Sequence, residues 1–209
     1  MHPNPAFRRE STDTHLAFVR ERGFGTLCVN AAAGPLIAHV PFLLDAEGTE
    51  AELHLVRSNP ILPLLTEPQA AVIVVSGPDG YLSPDWYGVE DQVPTWNYVA
   101  VHLRGHIEAA PVDELRPMLD RLTAEFEARL APKPPWTSGK MSAGLMERMM
   151  RMIAPCRMRI AEVQGTWKLS QNKPDVVRLA AAEGLDAAGS GECADGLAAL
   201  MRRFGQRAD

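Results

Sequence analysis

The chain has 209 residues, a size suited to one domain with a substantial core. Its formal net charge of −5 argues against direct DNA binding, because nucleic-acid footprints are normally basic. Hydrophobic residues at 46% and charged residues at 22% are ordinary for a globular protein, and apolar runs such as Ala70 to Val75 fall far short of the ~20 residues that cross a bilayer.

Met1-His2-Pro3-Asn4-Pro5 lacks a basic segment followed by an apolar one, so the expected compartment is the cytoplasm, with no membrane association. Thr14 to Gly23 reads as a short helix stopped by glycine. Three strands follow as an antiparallel meander, Phe24 to Asn30, Leu36 to Leu44 and Glu50 to Arg57, joined at Ala33-Gly34-Pro35 and Ala46-Glu47-Gly48. Ile61 to Leu65 reads as one helical turn, and Ala70 to Val75 as a buried strand. From about Trp96 to Ala109 the apolar residues Val99, Val101, Leu103 and Ile107 alternate with Tyr98, His102, Arg104, His106 and Glu108, the period of a half-buried strand.

Asp113 to Leu130 has helical spacing at Leu115, Met118, Leu119, Leu122, Phe126 and Leu130, with Pro117 tolerated in the first turn. A Met-rich helix is expected over Ser142 to Ile153, a strand over Arg157 to Trp167, and a short helix over Val176 to Glu183 ended by Gly184. After Leu185 the composition becomes that of a linker, Ala187-Ala188-Gly189-Ser190-Gly191. The expected organisation is one domain over residues 1–185 and a flexible or weakly docked tail over 186–209, with a brief helix from Asp195 to Phe204.

The three cysteines Cys28, Cys156 and Cys193 are odd in number and widely spaced, which suggests neither a disulfide framework nor a zinc site. Cys28 reads as a small buried hydrophobe. His102 and His106 share a strand face but lie ~13 Å apart at the usual rise, too far to chelate one ion, so no metal site is assigned. The methionines Met141, Met146, Met149, Met150 and Met152 read as adaptable packing.

Two dense polar boxes stand at strand ends, Pro94-Thr95-Trp96-Asn97 and Lys168-Leu169-Ser170-Gln171-Asn172-Lys173. Such residues are poor core material because each buried polar group needs a partner. Trp96 and Asn97 suit a planar polar ligand by stacking and hydrogen bonding, or Trp96 plugs a barrel end. Lys168, Ser170, Gln171 and Asn172 offer a cation with donors and acceptors, or close the barrel as a polar turn. Tyr81 to Gly88 is a loop with aromatics suited to a lid or a subunit interface, and Ser83 is a further candidate contact. Arg57-Ser58-Asn59 forms a strand-to-helix corner, where a cation and backbone donors can hold phosphate, or where Asn59 simply caps a turn.

These motifs, with His39-Val40-Pro41-Phe42, Arg57-Ser58-Asn59-Pro60 and Tyr81 to Tyr87, resemble the PaiB-type FMN-binding proteins, historically called negative transcriptional regulators. The resemblance covers roughly residues 1 to 185. It implies an α+β, mostly β, antiparallel split β-barrel with flanking helices, FMN as cofactor, and a homodimer with FMN between subunits. It places the FMN phosphate at Arg57, Ser58 and Asn59, where the family more often has a small apolar residue at the position of Ser58. His39 becomes a flavin-edge candidate, although a lone histidine in an apolar strand is more often a structural residue.

No nucleophile–base pair, metal motif or glycine-rich dinucleotide fingerprint is present in the sequence. That suits a protein whose cofactor carries the redox chemistry. The expected function is flavin redox turnover or sensing, with a nicotinamide electron donor. Two other readings are a regulatory binding protein acting through a protein or DNA partner, and a haem-handling split barrel.

Overall fold

Alternating burial builds the core. In the computed structural model, which describes residues 1–189, 191 and 193–204, six strands close into a barrel in the order β1-β2-β3-β6-β5-β4. They are β1 (Phe24–Val29), β2 (Leu36–Leu44), β3 (Glu50–Val56), β4 (Gln69–Leu82), β5 (Thr95–Ala109) and β6 (Ile153–Lys168). The helices are α1 (Thr12–Arg22), α2 (Leu115–Ala128), α3 (Leu145–Met150), α4 (Asp175–Ala188) and α5 (Ala194–Arg203). The α+β, mostly antiparallel-sheet class expected from the sequence is the observed one.

The chain divides into two compact units. The barrel unit comprises Leu16–Val75 and His102–Val163; the terminal unit comprises Met1–His15, Ser76–Val101 and the chain from Gln164 onward. Strands β4, β5 and β6 each contribute residues to both.

In the barrel unit every second residue points inward. Leu27 and Val29 of β1, Val40 and Phe42 of β2, Leu53 and Leu55 of β3, Ile73 and Val75 of β4, Leu103 and Ile107 of β5, and Met158 of β6 are all at most 3% exposed. Burying each such side chain contributes about 1.5–3 kcal/mol. Antiparallel registers fix the faces, with Thr26 opposite His39, Phe42 opposite Leu53, and Leu53 opposite Cys156. Gly105 has a steric cause: a Cβ there would lie 1.8 Å from the Arg159 carbonyl oxygen. Helix α2 packs on β2 and β3 through Leu115 and Met118, and Arg121 holds Glu52 with two bonds of 2.7 and 3.1 Å.

In the terminal unit α4 packs against α5 and against the 3₁₀ turn Pro84–Tyr87. Helix α4 does not stop at Gly184, because that glycine is the contact point: a Cβ there would come within 2.4 Å of the Trp86 ring. The sequence expectation of a helix over Val176 to Glu183 is therefore too short by a turn. Helix α5 buries Ala194, Leu197, Ala198 and Met201, each at 5% exposure or less. Arg178, fully buried, pairs with Asp175 at 2.7 Å and donates to the Met201 carbonyl. Of the tail expected beyond Leu185, residues 190, 192 and 205–209 lie outside the described residues.

Other boundaries differ for local reasons. Strand β4 runs on through Gly77-Pro78-Asp79-Gly80, a run that reads as a turn signal, and β6 begins at Ile153 despite Pro155. The Met-rich segment forms only α3, with no buried residue; Met149 and Met152 are exposed. Cys28 is half-buried rather than buried, while Cys156 is fully buried and its thiol is pushed up to about 12 by desolvation. No described helix is long and apolar enough to cross a membrane.

Candidate cofactor cleft

The terminal unit contains a polar cleft of about 350 Å³ lined by residues including Thr95, Asn97, Tyr87, Lys168, Ser170 and Lys173. Strand period creates its first wall: Thr95 and Asn97 are two apart on β5 and share a face, while Trp96 turns the other way. The turn after β6 creates the second. Ser170 sits at φ +61°, in the left-handed region, and Asp91, which also lines the cleft, sits at φ +58°. Two non-glycine residues held in that region at one cleft are the kind of local strain that clusters at functional sites.

The interior is a chain of hydrogen bonds. Asn97 Nδ2 donates to Ser170 Oγ at 2.9 Å and to Met201 Sδ at 3.5 Å. Ser170 Oγ also lies 3.2 Å from the Tyr87 hydroxyl. Tyr87 is 2% exposed, and burial raises its pKa against the opposing effect of the Ser170 bond. Among the described residues, Asn97 Oδ1 is buried without a hydrogen-bond partner. Leaving such an atom unmatched costs about 1–3 kcal/mol, a cost that a bound donor would remove.

Two ammonium groups flank this chain. Lys168 Nζ donates to Thr95 Oγ1, and burial lowers its pKa. Lys173 donates to Gln92 Oε1 and lies 4.6 Å from the centre of the Tyr87 ring, a cation–π contact. Both lysines are tied to neutral partners, and neither forms an ion pair among the described residues. The charge of Lys168 is felt at His2, whose pKa falls first through desolvation and next through Lys168.

The candidate residues fall into three groups. Asn97, Lys168, Ser170 and Asn172 line the one cleft. Gln171 lies between them in sequence but is spent on the turn, accepting from Leu169 N at 2.8 Å and donating to the Trp167 carbonyl. Ser83 caps the Pro84–Tyr87 turn by accepting from Asp85 N at 3.4 Å, and Trp96, 53% exposed, meets Tyr81 edge-on. The remaining four belong to the barrel unit. His39 is exposed on β2, its Nδ1 3.1 Å from Thr26 Oγ1.

At the corner after β3, Arg57 Nε donates to the Arg151 carbonyl at 2.9 Å, Asn59 Oδ1 accepts from Ile61 N at 2.9 Å, and Ser58 is exposed. Arg57 lines a second cleft of about 320 Å³ with the cations Arg116 and Arg151, the carboxylates Asp113 and Glu147, and the apolar Val112, Leu115 and Met150. Sequence reasoning did not select Tyr87, Thr95 or Lys173 as contacts. Lys173 stood inside the second polar box, and Thr95 inside the first. Tyr87 stood in the aromatic loop read as a lid or subunit interface, and its burial comes from tertiary packing.

A cleft with two unpaired-for ammoniums, several hydroxyls and one unmatched buried carbonyl fits a polar, electron-rich ring edge. A closed antiparallel barrel carrying such a site is a flavin-type split β-barrel. Solved structures of that fold are similar to this chain. They include the FAD and heme binding protein from Mycobacterium smegmatis, with a TM-score of 0.55 and 18% identity over 78% of this chain and 73% of that one. Another is the flavocytochrome Anf3 from Azotobacter vinelandii, with a TM-score of 0.53 and 17% identity over 80% and 72%. At those identities the likeness is one of fold.

Residues 1–162 match the FMN_bind_2 family, described as "Putative FMN-binding domain", and the chain belongs to that family. FMN is accordingly its cofactor. The Bacillus subtilis protein "Protease synthase and sporulation protein PAI 2" is 29% identical over 158 residues, 75% of each chain, in line with the PaiB-type resemblance. An uncharacterized Aspergillus fumigatus protein is 24% identical across 97% of this chain and 98% of its own length.

Proposed function

We propose that this protein is a homodimeric FMN-dependent redox protein in which a reduced nicotinamide is the electron donor. One observation carries the reading: a single cleft gathers Lys168, Lys173 and the unmatched Asn97 Oδ1. FMN, when bound, supplies the electron transfer; the chain binds it, orients it and sets its electrostatics. Arg57 suits the phosphate, because its Nε is engaged with the Arg151 carbonyl and, among the described residues, its terminal N–H groups remain to pair with an anion. Ser58 adds an exposed hydroxyl beside it. Lys168, partly desolvated, favours negative charge on the reduced ring. The resemblance to PaiB-type proteins implies a flavin held between two subunits, which supports the homodimer, as does the prevalence of two-fold symmetry among homo-oligomers.

The regulatory reading has one specific support, the sporulation label carried by the Bacillus subtilis relative. In that reading the bound flavin reports redox state to a protein partner and turnover is incidental. Reconstituting the apoprotein with FMN and recording the visible spectrum tests both. Two flavin bands with bleaching by NADH or NADPH support the redox reading. Flavin bands that neither nicotinamide bleaches support the sensor, and a Soret band would point to haem. Light scattering with FMN present should give twice the chain mass; a monomer at micromolar concentration overturns the dimer.

A further inference from the structure

We infer that Asn97 Oδ1 is the acceptor for the imide N–H of the flavin ring, and that Met201 and Ser170 are the positioning residues that aim it. The inference rests on the FMN reading above and deepens it by assigning the ring edge, not the phosphate, to this cleft.

Proton counting carries the argument. A primary amide has two N–H donors on one side and a carbonyl on the other. Both donors of Asn97 are used, toward Ser170 Oγ and Met201 Sδ. A thioether sulfur can only accept, so the amide cannot be turned over without losing that contact. Oδ1 therefore keeps one direction, fully buried and, among the described residues, without a partner. Any ligand that satisfies it must bring an N–H or O–H.

The neighbours narrow the choice. Ser170 Oγ accepts from Asn97 and lies against the Tyr87 hydroxyl. Of the two hydroxyl hydrogens only one can bridge that pair, so the other remains free to donate. Two residues before Asn97, on the same face of β5, Thr95 holds the Lys168 ammonium. Asn97 lines the cleft, so its buried acceptor lies at the cleft wall beside a hydroxyl donor and a cationic donor. Its complement is carbonyl, N–H, carbonyl: an imide edge. The FMN ring has one such edge. A phosphate or carboxylate in the same place would set an oxygen lone pair against Oδ1, which excludes the phosphate end of FMN from this position.

Met201 adds a point of specificity. It lies in α5, beyond residues 1–162 that match the family model, is fully buried, and its carbonyl is held by Arg178. The C-terminal helix pair therefore sets the orientation of the amide.

The test is a titration of apoprotein with FMN and with 3-methyl-FMN, in which a methyl group replaces the imide hydrogen. The wild-type protein should bind the methylated ring about tenfold or more weakly, since the substitution removes the donor and leaves Oδ1 unmatched. Asn97→Ala should erase most of that discrimination. Met201→Leu, which keeps an apolar side chain of similar size but removes the acceptor, should reduce it while leaving the far-ultraviolet circular dichroism unchanged. Wild-type protein that binds both flavins equally overturns the assignment while leaving FMN binding intact. Wild-type protein that binds neither overturns the FMN reading itself, and this inference with it.

Discussion

The Arg57–Asn59 corner and the Lys168–Lys173 turn are both polar boxes at the end of a barrel strand, yet they spend their side chains differently. At the corner, Asn59 satisfies the backbone of its own turn and Arg57 ties down the Arg151 carbonyl, with Ser58 left to solvent. At the Lys168 turn only Gln171 is spent that way. Ser170 is buried at a left-handed φ, and the Asn97 that it holds keeps an unmatched acceptor. An exposed polar corner can give up a contact at little cost to folding. A buried one cannot, because each lost partner leaves a desolvated group behind. Ligand affinity should therefore respond most at the first, and folding stability at the second.

The largest expected effect is on affinity at the corner. If Arg57 pairs with the phosphate, Arg57→Ala should weaken FMN by roughly ten- to hundredfold, the worth of a charge-assisted bond of about 1.5–3 kcal/mol. Riboflavin, which lacks the phosphate, should bind as before, and fluorescence titration of both ligands reads the difference. Equal losses would make Arg57 a structural residue bound to the Arg151 carbonyl.

Next comes the same substitution made in both boxes. Ser170→Ala removes the shared oxygen between Asn97 and Tyr87 and should cost about 1–3 kcal/mol in denaturant unfolding. Ser58→Ala, at an exposed site, should stay within about 0.5 kcal/mol. Similar costs at the two serines would break the contrast between the boxes.

A smaller effect belongs to Lys168, whose neutral partner is Thr95. Lys168→Met removes a cation from the cleft, so it should disfavour the anionic reduced ring and lower the midpoint potential of bound FMN. Stability should change by no more than about 1 kcal/mol. Redox titration of the two proteins decides; an unshifted midpoint with FMN still bound takes Lys168 out of the site.

Much of this contrast was legible in the sequence. Period-two alternation identified β5, turn signals bounded β1, β2 and β3, and residue chemistry marked Asn97, Lys168, Ser170 and Asn172, which share one cleft. What escaped it depends on packing at a distance. Gly77-Pro78-Asp79-Gly80 carries turn chemistry but lies within β4, and Gly184 looks like a helix stop until Trp86 is seen against it. Tyr87 reads as a loop aromatic beside Tyr81, yet Tyr87 is 2% exposed and Tyr81 38%. The polar box after β6 does not reveal that Gln171 turns back to the main chain while its neighbours face the cleft. Nor does a linker-like stretch before α5 reveal that Met201 touches Asn97.

The smallest effect concerns pH, and it too separates the units. Burial lowers the pKa of His15 in the terminal unit and of His54 in the barrel unit below the ordinary value of 6.5, and that of His102 as well, where Arg104 assists. Each folded-state value lies below its unfolded counterpart, so the unfolded chain binds protons more readily. Stability is then complete above about pH 6.5 and is lost as pH falls through the lowered folded-state values. His15 has a further constraint, since its Nδ1 accepts from Trp167 Nε1 at 3.1 Å and protonation would remove that lone pair. Among the described residues, His54 and His102 each have a buried Nδ1 with no partner, so protonating them costs desolvation energy but no bond. Unfolding midpoints in denaturant should fall between pH 7.5 and pH 5.5, windows chosen about one unit either side of the free histidine value. His15→Gln should flatten that slope in part; a slope unchanged by His15→Gln would assign the acid sensitivity to the barrel histidines alone.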